Sequence, residues 1–134
     1  IIANNGTYKP LYIYDSVIDS NKNIVKVFRN SKEEEIISPF ISTRVKEIMK
    51  EVSKTGTAKI LNNLKNGSGT KTGTSQVKIN NKDANNWLIT GFYPANRPKY
   101  SITVVVEGVG DKKLDNGKSA VPIFKEICEY LENK

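Results

Sequence analysis

The stretch Asn66-Gly67-Ser68-Gly69-Thr70-Lys71-Thr72-Gly73-Thr74-Ser75-Gln76 concentrates the residue types of this chain that can act on a ligand. It is small, polar and glycine-rich, with one lysine set among hydroxyl side chains. Two strongly apolar runs follow it, so residues 70–76 are expected as a strand edging their sheet. Lys71 and Gly73 then point to one side and Thr72 and Thr74 to the other. Lys71 supplies positive charge, the threonines supply hydroxyl donors, and Gly73 leaves bare backbone against which a ligand can lie. The N–H groups of a free strand edge add further donors. This set suits a carboxylate and an oxyanion held along the edge, and Ser75 and Gln76 extend it as ligand-binding candidates. The same four letters also occur at Lys54-Thr55-Gly56-Thr57. There they stand where a helix needs a stop, and Gly56 is expected as its left-handed cap. We therefore assign chemistry to Lys71 and a capping role to Gly56.

Composition excludes much other chemistry. The chain has no histidine, which removes Ser-His-Asp and Cys-His mechanisms and histidine metal ligands. One cysteine permits neither an internal disulfide nor a Cys-x-x-Cys site. Cys128 falls at helical spacing with Phe124, Ile127 and Leu131, as a buried structural thiol does. No cofactor or metal is implied. With 21 basic and 14 acidic residues among 134, the formal charge is +7. The basic residues are scattered singly, and acidic clusters interrupt them at Glu33-Glu34-Glu35 and Glu126 to Glu132, which argues against a nucleic-acid partner. No apolar run approaches membrane-spanning length, and none is expected to act as a signal peptide. The opening Ile1-Ile2-Ala3-Asn4-Asn5-Gly6 reads as the end of a helix with a glycine cap, so the start is expected to be a cut.

The elements that must position the lysine can be taken in order. Leu11 to Ile18 and Ile24 to Phe28 flank the turn residues Asp19-Ser20-Asn21-Lys22-Asn23 and predict a hairpin. Asn30 to Glu35 reads as a charged connector. Ser38 and Pro39 are N-cap and first-turn residues, and Ile41, Val45, Ile48, Met49 and Val52 form a helical stripe that ends near Ser53. Val77 to Ile79 can extend the motif strand, and Asn80 to Asn86 reads as a polar loop. Trp87 to Tyr93 and Ser101 to Glu107 are strands separated by a proline turn. Gly108 to Gly117 is a loop, and a final helix runs from about Ala120 or Pro122 to Leu131. The expected fold is α+β: a small antiparallel sheet of the motif strand and two apolar strands, packed by two helices, with an N-terminal hairpin.

These landmarks, in this order, resemble the C-terminal part of a penicillin-binding protein transpeptidase domain, most of all the class B kind. The family's A-N-G-G-T-y-x-x-P segment is similar to Asn4-Asn5-Gly6-Thr7-Tyr8 with Lys9-Pro10. Its helix ending in G-T-A resembles Met49-x-x-Val52 with Gly56-Thr57-Ala58. Lys71 to Gln76 matches its third active-site motif, K-T-G. Trp87 to Pro94 resembles its W-F-x-G-F-x-P strand, Tyr100 to Val106 the strand after it, and Ala120 to Ile127 its closing helix. The resemblance covers nearly all of residues 1–134, which read as the C-terminal portion of one incomplete domain.

The resemblance implies serine-type D,D-transpeptidation of peptidoglycan stem peptides, with β-lactams acylating the same serine. By that pattern the Thr72 and Thr74 hydroxyls bind the substrate or drug carboxylate. The Thr74 N–H provides half of the oxyanion hole, and Lys71 supplies positive potential. It also implies a place on the extracytoplasmic face of a bacterial membrane, reached through an N-terminal segment beyond this chain. The nucleophile is the departure. The family needs S-x-x-K at a helix start, then S-x-N, and no S-x-N occurs here. The formal matches Ser68 to Lys71 and Ser75 to Lys78 fail, because serine and lysine must share one helix face. One lies in a Gly-Ser-Gly loop, and the other, in a strand, points to opposite faces. The chain alone is therefore expected to be inactive, with the serine supplied by the rest of the domain. Its sheet edge at Ile102 to Val106 is expected to be covered by that remainder or by self-association. A non-catalytic binding module on the same fold is the alternative. A P-loop-like nucleotide binder at Gly117-Lys118-Ser119 is weaker, because Lys112 stands where that pattern requires glycine.

Overall fold

Alternation of side chains after Gly67 builds three long strands, Gly69–Ile79, Lys82–Tyr93 and Tyr100–Val109, into one antiparallel sheet in that order. The computed structural model describes residues 1–28, 32–109 and 120–134. These fall into two units, residues 1–43 and 44–134.

In the first unit a short 3-10 segment, Ile2–Asn4, ends at Asn5 in the left-handed conformation. β1 (Thr7–Tyr8) pairs with β4 (Glu34–Glu35), and β2 (Ser16–Ile18) pairs with β3 (Ile24–Val27), both antiparallel. The predicted hairpin is thus present but shorter. Its turn is held by the Asp19 carboxylate, which accepts the backbone N–H groups of Asn21 at 2.9 Å and Asn23 at 2.8 Å. Those bonds, Asn23's first, hold the Asp19 carboxyl below its ordinary range. Leu11 and Ile13 lie outside the ladder and are more than nine-tenths exposed. The connector expected at Asn30 to Glu35 differs in its second half. Glu34 and Glu35 carry no strand signal, but their backbones bridge to Tyr8 and Thr7, and Lys9 pairs with Glu33 at 3.0 Å. Residues 29–31 lie outside the described residues.

Helix α1 (Pro39–Lys54) begins as its sequence predicts: the Ile41 N–H donates to Ser38 Oγ at 3.4 Å, and Pro39 takes the first helical position. Its apolar stripe is not all core. Val45, Met49 and Val52 are half-buried, whereas Ile41 and Ile48 are exposed.

In the second unit β5 (Gly69–Ile79) and β6 (Lys82–Tyr93) meet at Asn80-Asn81, both at positive φ. This corrects the expected loop over Asn80 to Asn86. Two asparagines that tolerate the left-handed region close a two-residue hairpin, so Lys82 to Asn86 pairs as strand despite its polarity. β7 (Tyr100–Val109) follows, and α2 (Ala120–Glu132) closes the chain. The loop expected over Gly108 to Gly117 starts later, because β7 runs on through Gly108 and Val109; its remainder and the Gly117-Lys118-Ser119 motif lie outside the described residues.

One sheet face carries Trp87, Ile89 and Tyr93 with Ile102, Val104 and Val106. It packs against Ala120, Val121, Phe124 and Cys128 of α2 and against Ala58, Leu61 and Leu64 around a second 3-10 segment, Lys59–Asn63. Burial pushes the Cys128 thiol up to about 12, with the nearby Glu132 and Glu129 carboxylates adding to the shift. The thiol is therefore a core group.

Candidate active site

β5 is an edge strand, with β6 as its only ladder partner among the described residues. Alternate N–H and C=O groups along it consequently face away from the sheet. Its first residues are anchored. Ser68 and Thr70 are buried, Ser68 Oγ donates to Ser53 Oγ of α1 at 3.2 Å, and Ser53 Oγ and Thr70 Oγ1 share a hydrogen bond of 2.9 Å. Gly69 is required by packing. A Cβ there would stand 2.2 Å from Cζ of the Phe92 ring. The approach to the strand is tied as well: Asn66 Nδ2 donates to Tyr93 Oη at 3.2 Å, and that hydroxyl donates to the Glu132 carboxylate at 2.7 Å.

Beyond this anchor the strand opens. The register sets Thr72 opposite Ile89 and Thr74 opposite Trp87, on the core-facing side, and sets Lys71 opposite Thr90 and Gly73 opposite Leu88, on the other. The expected alternation of the motif is what the register shows. Lys71 is exposed and its ammonium folds back to donate to the Thr72 carbonyl oxygen. Thr72 is half-buried, and its Oγ1 lies 2.7 Å from Thr57 Oγ1. Thr74, Ser75 and Gln76 are exposed, and their side chains make no hydrogen bond among the described residues. A Cβ on Gly73 would meet only Leu88 Cβ at 3.9 Å, so packing within this chain does not require glycine there.

The surroundings of the motif match a known family over residues 1–129, the penicillin binding protein transpeptidase domain. The chain belongs to that family. It is 32% identical over 135 residues to the peptidoglycan D,D-transpeptidase FtsI of Buchnera aphidicola, a match that takes in 97% of this chain and 22% of that protein. The fold is that of a peptidoglycan synthetase from Bifidobacterium adolescentis, with a TM-score of 0.81 at 22% identity over 98% of this chain and 24% of the other. It is also that of penicillin-binding protein A from Mycobacterium tuberculosis, solved as a penicillin G acyl-enzyme complex. That match has a TM-score of 0.76 at 23% identity over 96% of this chain and 28% of the other. The chain thus spans between 22% and 28% of the length of these three relatives.

The other K-T-G-T copy has a different place. Lys54 is the last residue of α1, and Thr55 Oγ1 donates to the Glu51 carboxylate at 2.7 Å. Gly56 is not left-handed, which corrects the expected cap. It is needed because a Cβ would stand 2.9 Å from Val52 Cα and 3.0 Å from the Val52 carbonyl oxygen. The chain turns back tightly over its own helix, and the Ala58 N–H reaches the Val52 carbonyl at 3.3 Å. The serines of the two formal S-x-x-K matches are also placed. Ser68 is buried on the Ser53 hydroxyl, and Ser75 and Lys78 alternate to opposite faces of β5. Sequence reasoning missed Thr57 as a neighbour of the motif. Fifteen residues separate it from Thr72, and only the turn after α1 brings the two hydroxyls together.

Proposed function

We propose that this chain is the C-terminal part of a serine D,D-transpeptidase domain, contributing the strand edge along which a peptidoglycan stem peptide or a β-lactam is held. The observation that carries the reading is the open part of β5. An exposed lysine, two threonines and a glycine whose space the chain itself does not fill lie together on a free strand edge. Family membership supports it, as do the name of the Buchnera relative and the penicillin G complex of the mycobacterial neighbour.

In this reading Thr72 and Thr74 receive the ligand carboxylate through their hydroxyls. The Thr74 N–H supplies half of the oxyanion hole, and Lys71 supplies fixed positive charge beside the developing oxyanion. Ser75 and Gln76 extend the contact along the ligand. A preorganised donor of this kind lowers an acyl-transfer barrier by ~2.7–4 kcal/mol. The serine nucleophile and its lysine base come from chain outside residues 1–134. Attack on the ligand carbonyl forms the ester, the D-alanine or lactam nitrogen leaves, and an amine or water then takes the acyl group. The domain works on the extracytoplasmic face of the membrane, and the rest of the same domain covers the free edge of β7.

Labelling with a fluorescent penicillin, followed by intact-mass analysis, tests the reading. The full-length protein is expected to gain one covalent adduct on a serine outside this chain, and residues 1–134 alone none. A stoichiometric adduct on Ser68 or Ser75 overturns the assignment. A full-length sequence without S-x-x-K and S-x-N would make the chain a binding module instead.

A further inference from the structure

The contact between the two K-T-G-T copies gives Thr57 a task. We propose that Thr57 is a positioning residue that sets the donor direction of the Thr72 hydroxyl toward an anionic group of the ligand, an inference that rests on the substrate-binding reading of Lys71 to Gln76. The oxygens are 2.7 Å apart, and either hydroxyl can donate to the other. Each carries one proton and two lone-pair sites. When Thr72 donates to Thr57, it has no proton left for a ligand. When Thr57 donates to Thr72, the Thr72 proton is free to donate outward, and the bond it accepts polarises it further. A carboxylate at the strand edge selects this second arrangement. The pair then runs as a chain of two donations, from Thr57 to Thr72 and from Thr72 to the ligand.

The chain works only if Thr57 itself is held, and three contacts hold it. Gly56 is wedged on the Val52 backbone, the Ala58 N–H is bound to the Val52 carbonyl, and Ala58 is buried in the core cluster with Leu61. Thr57 is exposed and stands outside that cluster, so its side chain can be altered without opening the core. Thr72 is half-buried on a strand whose start is pinned by the Ser53–Thr70 hydroxyl pair. Both ends of the contact therefore sit on backbone fixed by packing, which preorganises the direction of the bond.

The test is a double-mutant cycle in the full-length protein, read as the second-order rate of acylation by penicillin G. Thr57→Val is expected to slow acylation about three- to tenfold, the scale of one lost neutral hydrogen bond. Thr57→Ser restores the rate, because it returns the hydroxyl. On a Thr72→Val background, Thr57→Val produces no further loss, since its effect passes through that one hydroxyl. Melting temperatures of all variants stay within a few degrees of the parent. If Thr57→Val does not fold, Thr57→Ala removes the hydroxyl with less bulk and enters the cycle in its place. An unchanged rate in the valine or alanine variant overturns the proposal, and so do losses that add to those of Thr72→Val or that serine fails to rescue. If Lys71→Ala and Thr72→Val both leave acylation untouched, the substrate-binding reading falls and this proposal with it. If those two slow acylation and Thr57→Val does not, the positioning role alone is lost.

Discussion

The two K-T-G-T copies carry identical side chains in opposite situations. At Lys54 to Thr57 the letters end a helix, and their glycine is filled space, pressed on the Val52 backbone. At Lys71 to Thr74 they run along a free strand edge, and their glycine is open space, with Leu88 Cβ 3.9 Å from where a side chain would begin. The lysines differ in the same sense. Lys54 sits in the last turn of α1, where its charge complements the helix dipole. Lys71 projects from the sheet face opposite the core. In the proposed function the motif carries chemistry only at the copy whose surroundings the fold leaves vacant. The comparison also shows that the copies are not independent, because the last threonine of the first touches the second residue of the other.

The largest effect should separate the lysines. In the full-length protein Lys71→Ala is expected to slow penicillin acylation by roughly 10²–10³ with little change in melting temperature, as befits one preorganised electrostatic contact. Normal acylation in that variant would remove the main distinction between the copies. Next comes the first glycine. Gly56→Val should destabilise the fold by about 1–3 kcal/mol in denaturant titration, because backbone atoms at 2.9 and 3.0 Å cannot yield as a flexible side chain would. A neutral result would mean that the turn over Val52 is looser than these contacts require.

Gly73→Ala sharpens the contrast from the other side. Alanine is favoured over glycine inside a strand, so stability should hold or rise by up to ~1 kcal/mol. Acylation should nonetheless fall, because the added methyl group occupies ligand space. An alanine variant that melts early would show that Gly73 is needed by the fold after all. The smallest effect is expected of Lys54→Ala, worth ~0.3–1 kcal/mol of stability through the helix dipole and nothing in acylation rate. Loss of acylation there, with Lys71→Ala active, would reverse the assignment.

Local chemistry alone was enough for much of this protein. Ser38-Pro39 marked the start of α1, Asp19 to Asn23 the hairpin turn, and the spacing of Phe124, Ile127 and Cys128 the core face of α2, because caps, turns and periodicity act within a few residues. The ordered landmarks from Asn4 to Ile127 were enough for the family. The Asn80-Asn81 hairpin turn is also local chemistry, but the polar strand after it has the composition of a loop and hides the turn in the sequence. Other features depended on distance. Pairing of Glu34 and Glu35 with Tyr8 and Thr7 comes from backbone groups that no side chain announces. The need for glycine at position 56 comes from a turn that folds back on its own helix, where composition suggests only a left-handed cap. The meeting of Thr57 with Thr72 was decided by tertiary structure alone. Two hydroxyls fifteen residues apart bond only when the end of α1 and the 3-10 segment behind it pack on the face of the sheet whose edge is β5.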